Sequence, residues 1–316
     1  MLWFSLDADG AFAPALAAAL GQEAAAHEDR TFEDGEHKLR PLIDPLGADC
    51  YVLHGLHGDA RYSPHDKICR LLLFAATLRD HGAARVTALV PYLAYARKDR
   101  QTKPFDPLGL RYVAQMAEAV GIDRLVVLEA HNVAALQNAF RCPVFHLEAH
   151  RAFNALLLGW ADARPLAVAS PDPGGVKRAQ LWREAAEAAL KRPVGFAMVD
   201  KRRSAGVVSS DRLVAGDVTG ATVLLFDDLI ASGETMRRAA RALREAGAAG
   251  VVACAAHGLF TSGAEEALAE VAIDKVLITD SVPPLRLTQD SPVRARLHVV
   301  SAAPLFAQAV AALSGA

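Results

Sequence analysis

Val223-Leu-Leu-Phe-Asp227-Asp228-Leu-Ile-Ala231-Ser232-Gly233-Glu234-Thr235 is the stretch that decides the fold. Four apolar residues, two carboxylates, a turn of small residues and a helical pattern over 235–247 read as a buried strand that delivers a loop to the start of a helix. Uninterrupted apolar strands belong to parallel sheets covered on both faces. The same unit recurs outward from this stretch, with strand patterns at 86–90, 124–128, 166–169 and 250–255 and helical patterns at 65–81 and 108–121. Alternation of this kind predicts an α/β fold, with largely parallel sheets flanked by helices.

The chain has 316 residues, 52% of them apolar, which is enough for two cores. Strand and helix units stand on both sides of position 149, so two domains are expected, 1–148 and 149–297. The segment 298–316 reads as a strand then a helix able to return to the first domain. A formal charge of −2 excludes the broad basic field of a nucleic-acid binder, so an anion site must be built locally. Cys50, Cys69, Cys142 and Cys254 are scattered without metal spacing and read as core thiols of a reducing, cytoplasmic compartment. The first ten residues carry Asp7 and Asp9 and no basic region, which excludes a secretory signal, and no apolar run reaches the roughly 18 residues of a membrane span.

In an open α/β sheet, ligands sit beyond the carboxyl ends of the strands. A phosphate beside 231–235 would meet backbone N–H groups and the positive end of a helix, with hydroxyls from Ser232 and Thr235. Asp227 and Asp228 repel phosphate and suit instead the hydroxyls of a sugar, directly or through Mg²⁺. The arrangement therefore reads as a ribose-phosphate site. After the strand-like 196–200, Lys201 and Arg203 alternate and would project on one side if the strand continues.

The 227–235 loop resembles the phosphoribosyl pyrophosphate loop of type I phosphoribosyltransferases. Four further segments, in order, resemble ribose-phosphate pyrophosphokinases: Thr31-Phe32-Glu-Asp34-Gly35-Glu36, Pro91-Tyr-Leu-Ala-Tyr95-Ala-Arg97-Lys98-Asp99-Arg100, Ser170-Pro-Asp172-Pro-Gly174-Gly175-Val-Lys-Arg178-Ala and Asp200-Lys201-Arg202-Arg203. The resemblance implies two phosphoribosyltransferase-like domains and transfer of a pyrophosphoryl group from Mg-ATP to the C1 hydroxyl of ribose 5-phosphate. It makes Lys201 the catalytic lysine and Arg203 a phosphate holder. It also places Phe32, Asp34 and Glu36 at the adenine, and Arg97, Lys98 and Asp99 at the ATP phosphates. The ribose phosphate falls to Asp227, Asp228, Ala231, Ser232, Gly233, Glu234 and Thr235. His131 and Asp172 stand beside Mg²⁺, and the adenine loop reaches a neighbouring subunit, implying a homo-oligomer (dimer or hexamer).

The chain also departs from that family. Ala231 and Glu234 stand where it usually has Asp and Gly, so one carboxylate is missing and one is added. Glu129, Lys98 and Phe105 differ as well, and 55–65 lacks the usual threonine-cysteine loop sequence. Two alternatives follow: a phosphoribosyltransferase using a nucleobase, and a catalytically weak regulatory paralogue.

Overall fold

A computed structural model describes residues 1–7, 10–160, 164–204 and 207–315, with the side chains of 158–160, 201–204 and 207–212 outside the described residues. The chain forms two compact units, Met1–Glu148 with Ser301–Ala316, and Ala149–Val300.

The first unit runs β1 (Leu2–Ser5), α1 (Phe12–Leu20), β2 (His27–Thr31), β3 (His37–Pro41), β4 (Asp49–Leu53), α2 (Pro64–Asp80), β5 (Arg85–Val90), α3 (Gly109–Ala119), β6 (Arg124–Leu128), α4 (Val133–Ala139) and β7 (Val144–Leu147). Its five-stranded sheet, β1-β4-β5-β6-β7, is parallel throughout, and β2 and β3 stand apart as an antiparallel hairpin. Helix α2 starts where sequence dictates: Ser63 Oγ accepts from Asp66 N, Asp66 Oδ2 accepts from Ser63 N, and Pro64 opens the first turn. Its apolar face brings Phe74 edge-on to Phe4 of β1, 5.2 Å between centroids.

The second unit contains α5 (His150–Trp160), β8 (Leu166–Ser170), α6 (Val176–Leu190), β9 (Gly195–Ser204), β10 (Val207–Ala215), β11 (Thr222–Ile230), α7 (Glu234–Glu245), β12 (Gly250–Gly258), α8 (Ala264–Leu268), β13 (Lys275–Thr279) and β14 (Leu297–Val300). The sheet order is β10-β9-β8-β11-β12-β13-β14, parallel except for β10. Trp182 of α6 is fully buried edge-on to Phe226 of β11, and Asn154 of α5 takes its indole N–H.

The 298–316 segment divides. β14 closes the edge of the second sheet, whereas the following helix, α9 (Ala303–Ser314), packs in the first unit on α1, with Phe306 edge-on to Phe12. Two expectations need correction. Strand β11 does not stop before the acid pair: its ladder to β12 continues through Asp227↔Ala255, Leu229↔His257 and Ile230↔Gly258, because strand pairing uses backbone groups and is indifferent to a carboxylate side chain. The cysteines are not all core thiols. Cys50 and Cys254 are buried, but Cys69 is exposed and Cys142 half-buried. Among the described residues no helix is long and apolar enough to cross a membrane.

Candidate active site

In the second unit the chain leaves β8 for β9 and β10 on one side, then returns to β11 on the other. Such a reversal opens a crevice at the carboxyl ends of the two strands between which it occurs. The predicted sugar residues and Asp172 sit there, whereas His131 belongs to the first unit. After β8, Ser170 Oγ donates to the Asp172 carbonyl, and Asp172 Oδ1 accepts from Gly174 and Gly175 N–H at 2.8 and 3.1 Å. That cap occupies one carboxylate oxygen of the exposed Asp172. Gly175 is required by close approach, since a Cβ would lie 2.7 Å from Ser170 Oγ and 3.9 Å from Asp227 Oδ1.

On the adjacent β11, Asp228 is buried and Asp227 mostly so. Arg178 of α6 reaches both, with Nη1 3.2 Å from Asp227 Oδ1 and 3.6 Å from Asp228 Oδ1. Burial, and then the Asp228 charge beside it, push the Asp227 carboxyl well above the ordinary range despite the guanidinium. Arg178 lies within the 170–179 motif, but its partners lie 49 and 50 residues away, beyond any local pattern.

The loop after β11 is only Ala231, Ser232 and Gly233, since α7 begins at Glu234. Gly233 adopts φ +73 and packs on α8, where a Cβ would lie 3.1 Å from both Ala267 and Leu268. Ser232 and Thr235 are exposed around the start of α7. Glu234 bends onto its own helix: Oε2 is 2.7 Å from Arg237 Nε and Oε1 is 2.5 Å from Arg238 Nε. The Arg237 hydrogen bond holds it below the ordinary Glu range. The negative charge foreseen at this position is thus tied to two guanidiniums. Lys201 and Arg203 belong to β9, which continues to Ser204, but their side chains lie outside the described residues.

In the first unit, the turn after β5 exposes Arg97 and Lys98. Gly109 at the start of α3 lets the turn close, since a Cβ there would meet Tyr95 Cδ1 at 2.9 Å. Asp99 Oδ2 accepts from Asn132 Nδ2 at 2.9 Å, and Asn132 Oδ1 caps α4 by accepting from Ala135 N–H. This joins the Arg97–Asp99 turn to the exposed His131 after β6. His146 of β7 supports the same turn, its Nε2 accepting from Ala130 N–H at 3.0 Å. At the tip of the β2–β3 hairpin, Phe32 N–H donates to the Glu36 carbonyl, Gly35 N–H donates to the Phe32 carbonyl, and Asp34 Oδ1 accepts from Glu36 N–H. Phe32 is 40% exposed, with Arg30 stacked on its ring at 4.9 Å.

Each unit therefore gathers its own set: Arg97, Lys98, Asp99 and His131 in the first, Asp172, Asp227, Asp228 and the 231–235 loop in the second. Phe32, Asp34 and Glu36 share the separate hairpin tip.

Comparison with known proteins identifies the family. Residues 1–121 match the N-terminal domain of ribose phosphate pyrophosphokinase, and residues 206–312 match the phosphoribosyl synthetase-associated domain. The ribose-phosphate pyrophosphokinase of Caldanaerobacter subterraneus is 33% identical over 307 residues, covering 97% of this chain and 92% of the relative. That of Haemophilus influenzae is 32% identical over 284 residues, covering 90% and 86%. The crystal structure of phosphoribosylpyrophosphate synthetase from Mycobacterium smegmatis superposes with a TM-score of 0.82 at 30% identity, over 99% of this chain and 98% of that one. The chain belongs to the ribose-phosphate pyrophosphokinase family.

Proposed function

We propose that the protein transfers the pyrophosphoryl group of Mg-ATP to the C1 hydroxyl of ribose 5-phosphate, giving phosphoribosyl pyrophosphate and AMP. The observation that carries this reading is the Asp227–Asp228 pair, braced by Arg178 at the sheet reversal and followed directly by a helix start. Two adjacent carboxylates, one with a raised affinity for protons, can accept from and donate to the vicinal hydroxyls of a ribose. The 231–235 backbone and hydroxyls then take its phosphate.

In the reaction the C1 oxygen attacks the β-phosphorus, the bond to the α-phosphate oxygen breaks, AMP departs and the hydroxyl proton is released. Little covalent work falls to the protein, so positioning and charge neutralisation carry the rate. Lys201 and Arg203 fit neutralisation of the transferring group, and the exposed Arg97 and Lys98 fit the ATP polyphosphate. Phe32 offers the ring face opposite Arg30 to the adenine, and Asp34 and Glu36 offer acceptors for its amine.

The donor set fits Mg²⁺ held mainly by substrate. Among the described residues no cluster of three His, Cys, Asp or Glu could cage a metal. The cap on Asp172 uses Oδ1, leaving Oδ2 as a hard donor, and Mg²⁺ typically keeps waters and phosphate oxygens. When bound, the ion would neutralise phosphate charge. His131 fits a hydrogen bond to phosphate or to a metal-bound water. A homo-oligomer in the cytoplasm is part of the same reading.

The test is AMP release with ATP, Mg²⁺ and ribose 5-phosphate, followed by phosphorus NMR of the product. Sugar-dependent AMP with a new sugar pyrophosphate supports the proposal. Turnover that requires a nucleobase and ignores ATP would replace it with the phosphoribosyltransferase reading favoured by Ala231. Absence of any turnover would favour a regulatory paralogue.

A further inference from the structure

Helix α2 carries two basic side chains one turn apart that never reach solvent, Lys67 at 4% and Arg70 at 0% exposure. Each is answered by an acid from a different segment. Lys67 Nζ lies 2.7 Å from Asp59 Oδ2, and Arg70 Nη2 pairs with Asp29 Oδ2 on β2. Tyr62 lies between the two pairs. Asp59 Oδ1 accepts from the Tyr62 and Arg61 N–H groups, the Tyr62 ring lies 4.4 Å beneath the Arg70 guanidinium, and its hydroxyl is 3.4 Å from Thr31 Oγ1 on β2. The 55–65 segment, whose sequence departs from the family, thus acts as a strut between α2 and the hairpin.

Arg70 is an unusual choice for a merely structural tie. Its Nε and Nη1 are buried without a hydrogen-bond partner, and an apolar side chain of similar volume would fill the space without leaving donors unsatisfied. A buried ion pair commonly contributes more to geometric definition than to stability. What it defines here is β2, which leads after Thr31 into the Phe32–Glu36 tip. Asp29 faces α2, and on its next neighbour but two, Phe32, the tip presents its aromatic ring.

We propose that Arg70 is a positioning residue for the nucleotide. Its ion pair with Asp29 and its stacking on Tyr62 hold the β2–β3 hairpin so that Phe32, Asp34 and Glu36 meet the adenine in a preset geometry. This rests on the assignment of the hairpin tip to the adenine. The clamp removes hairpin ordering from the cost of binding, so its loss appears in ATP affinity and not in sugar affinity.

The test uses the full-length protein and the variants Arg70→Met, Arg70→Lys and Asp29→Asn. Asp29 is partly exposed, so its variant guards against misfolding of the Arg70 substitutions. Calorimetric Kd values are measured separately for ATP and ribose 5-phosphate, together with amide exchange across 30–37. The expected result is ATP affinity about tenfold weaker in Arg70→Met and Asp29→Asn, partial recovery in Arg70→Lys, unchanged sugar affinity and faster hairpin exchange. Loosened exchange with unchanged ATP affinity, or equal loss for ATP and sugar, overturns the positioning role. Wild-type protein that binds sugar but no ATP overturns the adenine assignment and the proposal with it, whereas wild-type ATP binding that survives both substitutions overturns the proposal alone.

Discussion

Arg178 Nη1 lies 3.2 Å from Asp227 Oδ1 and 3.6 Å from Asp228 Oδ1, so one guanidinium braces two adjacent carboxylates on a strand that cannot separate them. The brace is incomplete, because burial and the Asp228 charge still raise the Asp227 pKa. The folded protein therefore holds this proton more tightly than the unfolded chain. The stability so contributed is fully present below the ordinary Asp value of 3.8 and is lost as pH rises through the raised one. Asp227→Asn removes that dependence. Thermal melts from pH 4 to pH 8 should show wild type losing Tm relative to the variant, which ends the more stable at neutral pH by about 2–4 °C for each kcal/mol of repulsion relieved. The same variant should bind ribose 5-phosphate more weakly.

Asp172→Asn separates charge from fold at the second predicted metal residue. Asn caps as well as Asp, so the Gly174 and Gly175 contacts survive and Tm should hardly move. The concentration of Mg²⁺ giving half-maximal turnover should rise roughly tenfold, the scale of one charge-assisted contact. An unchanged Mg²⁺ requirement would remove Asp172 from the metal.

Lys201→Ala should lower kcat by about 10²- to 10³-fold, the usual loss for one preorganised transition-state donor. ATP and ribose 5-phosphate affinities measured without turnover should change far less. Turnover near wild type would remove Lys201 from the reaction.

Glu234→Gln should tighten ribose 5-phosphate binding by about two- to fivefold, because it removes a carboxylate from the first turn of α7 and releases Arg237 and Arg238. The gain should shrink as salt is raised from 0.05 to about 0.5 M, where exposed charges are screened. Direct binding assays at both ionic strengths read it. Weaker binding in the variant would mean that the Glu234–arginine cluster itself supports the sugar phosphate.

Much of this was legible in the chain. The buried strands announced themselves as apolar runs, the helical spacing over 65–81 announced α2 to within a residue of its start, and the acids, small residues and helix onset after Val223 announced the loop. The end of β11 was not legible, because a parallel ladder is decided by the neighbouring strand and not by the side chains of Asp227 and Asp228. Arg178 and Arg70 escaped for a related reason: each is read locally as an ordinary polar helix position, and only folding brings Asp227 and Asp29 to it. The restraint of Glu234 was also hidden, since an acid followed three and four residues later by arginine fits an exposed helix face as well as a phosphate site.

The return of α9 to α1 sets an order of assembly during synthesis. Every residue of Ala149–Val300 is made before Phe306 exists to cover Phe12, so the seam between α1 and α9 is the last part of the first unit that synthesis can supply. Until then the α1 face that Phe12 presents has no cover from its own chain.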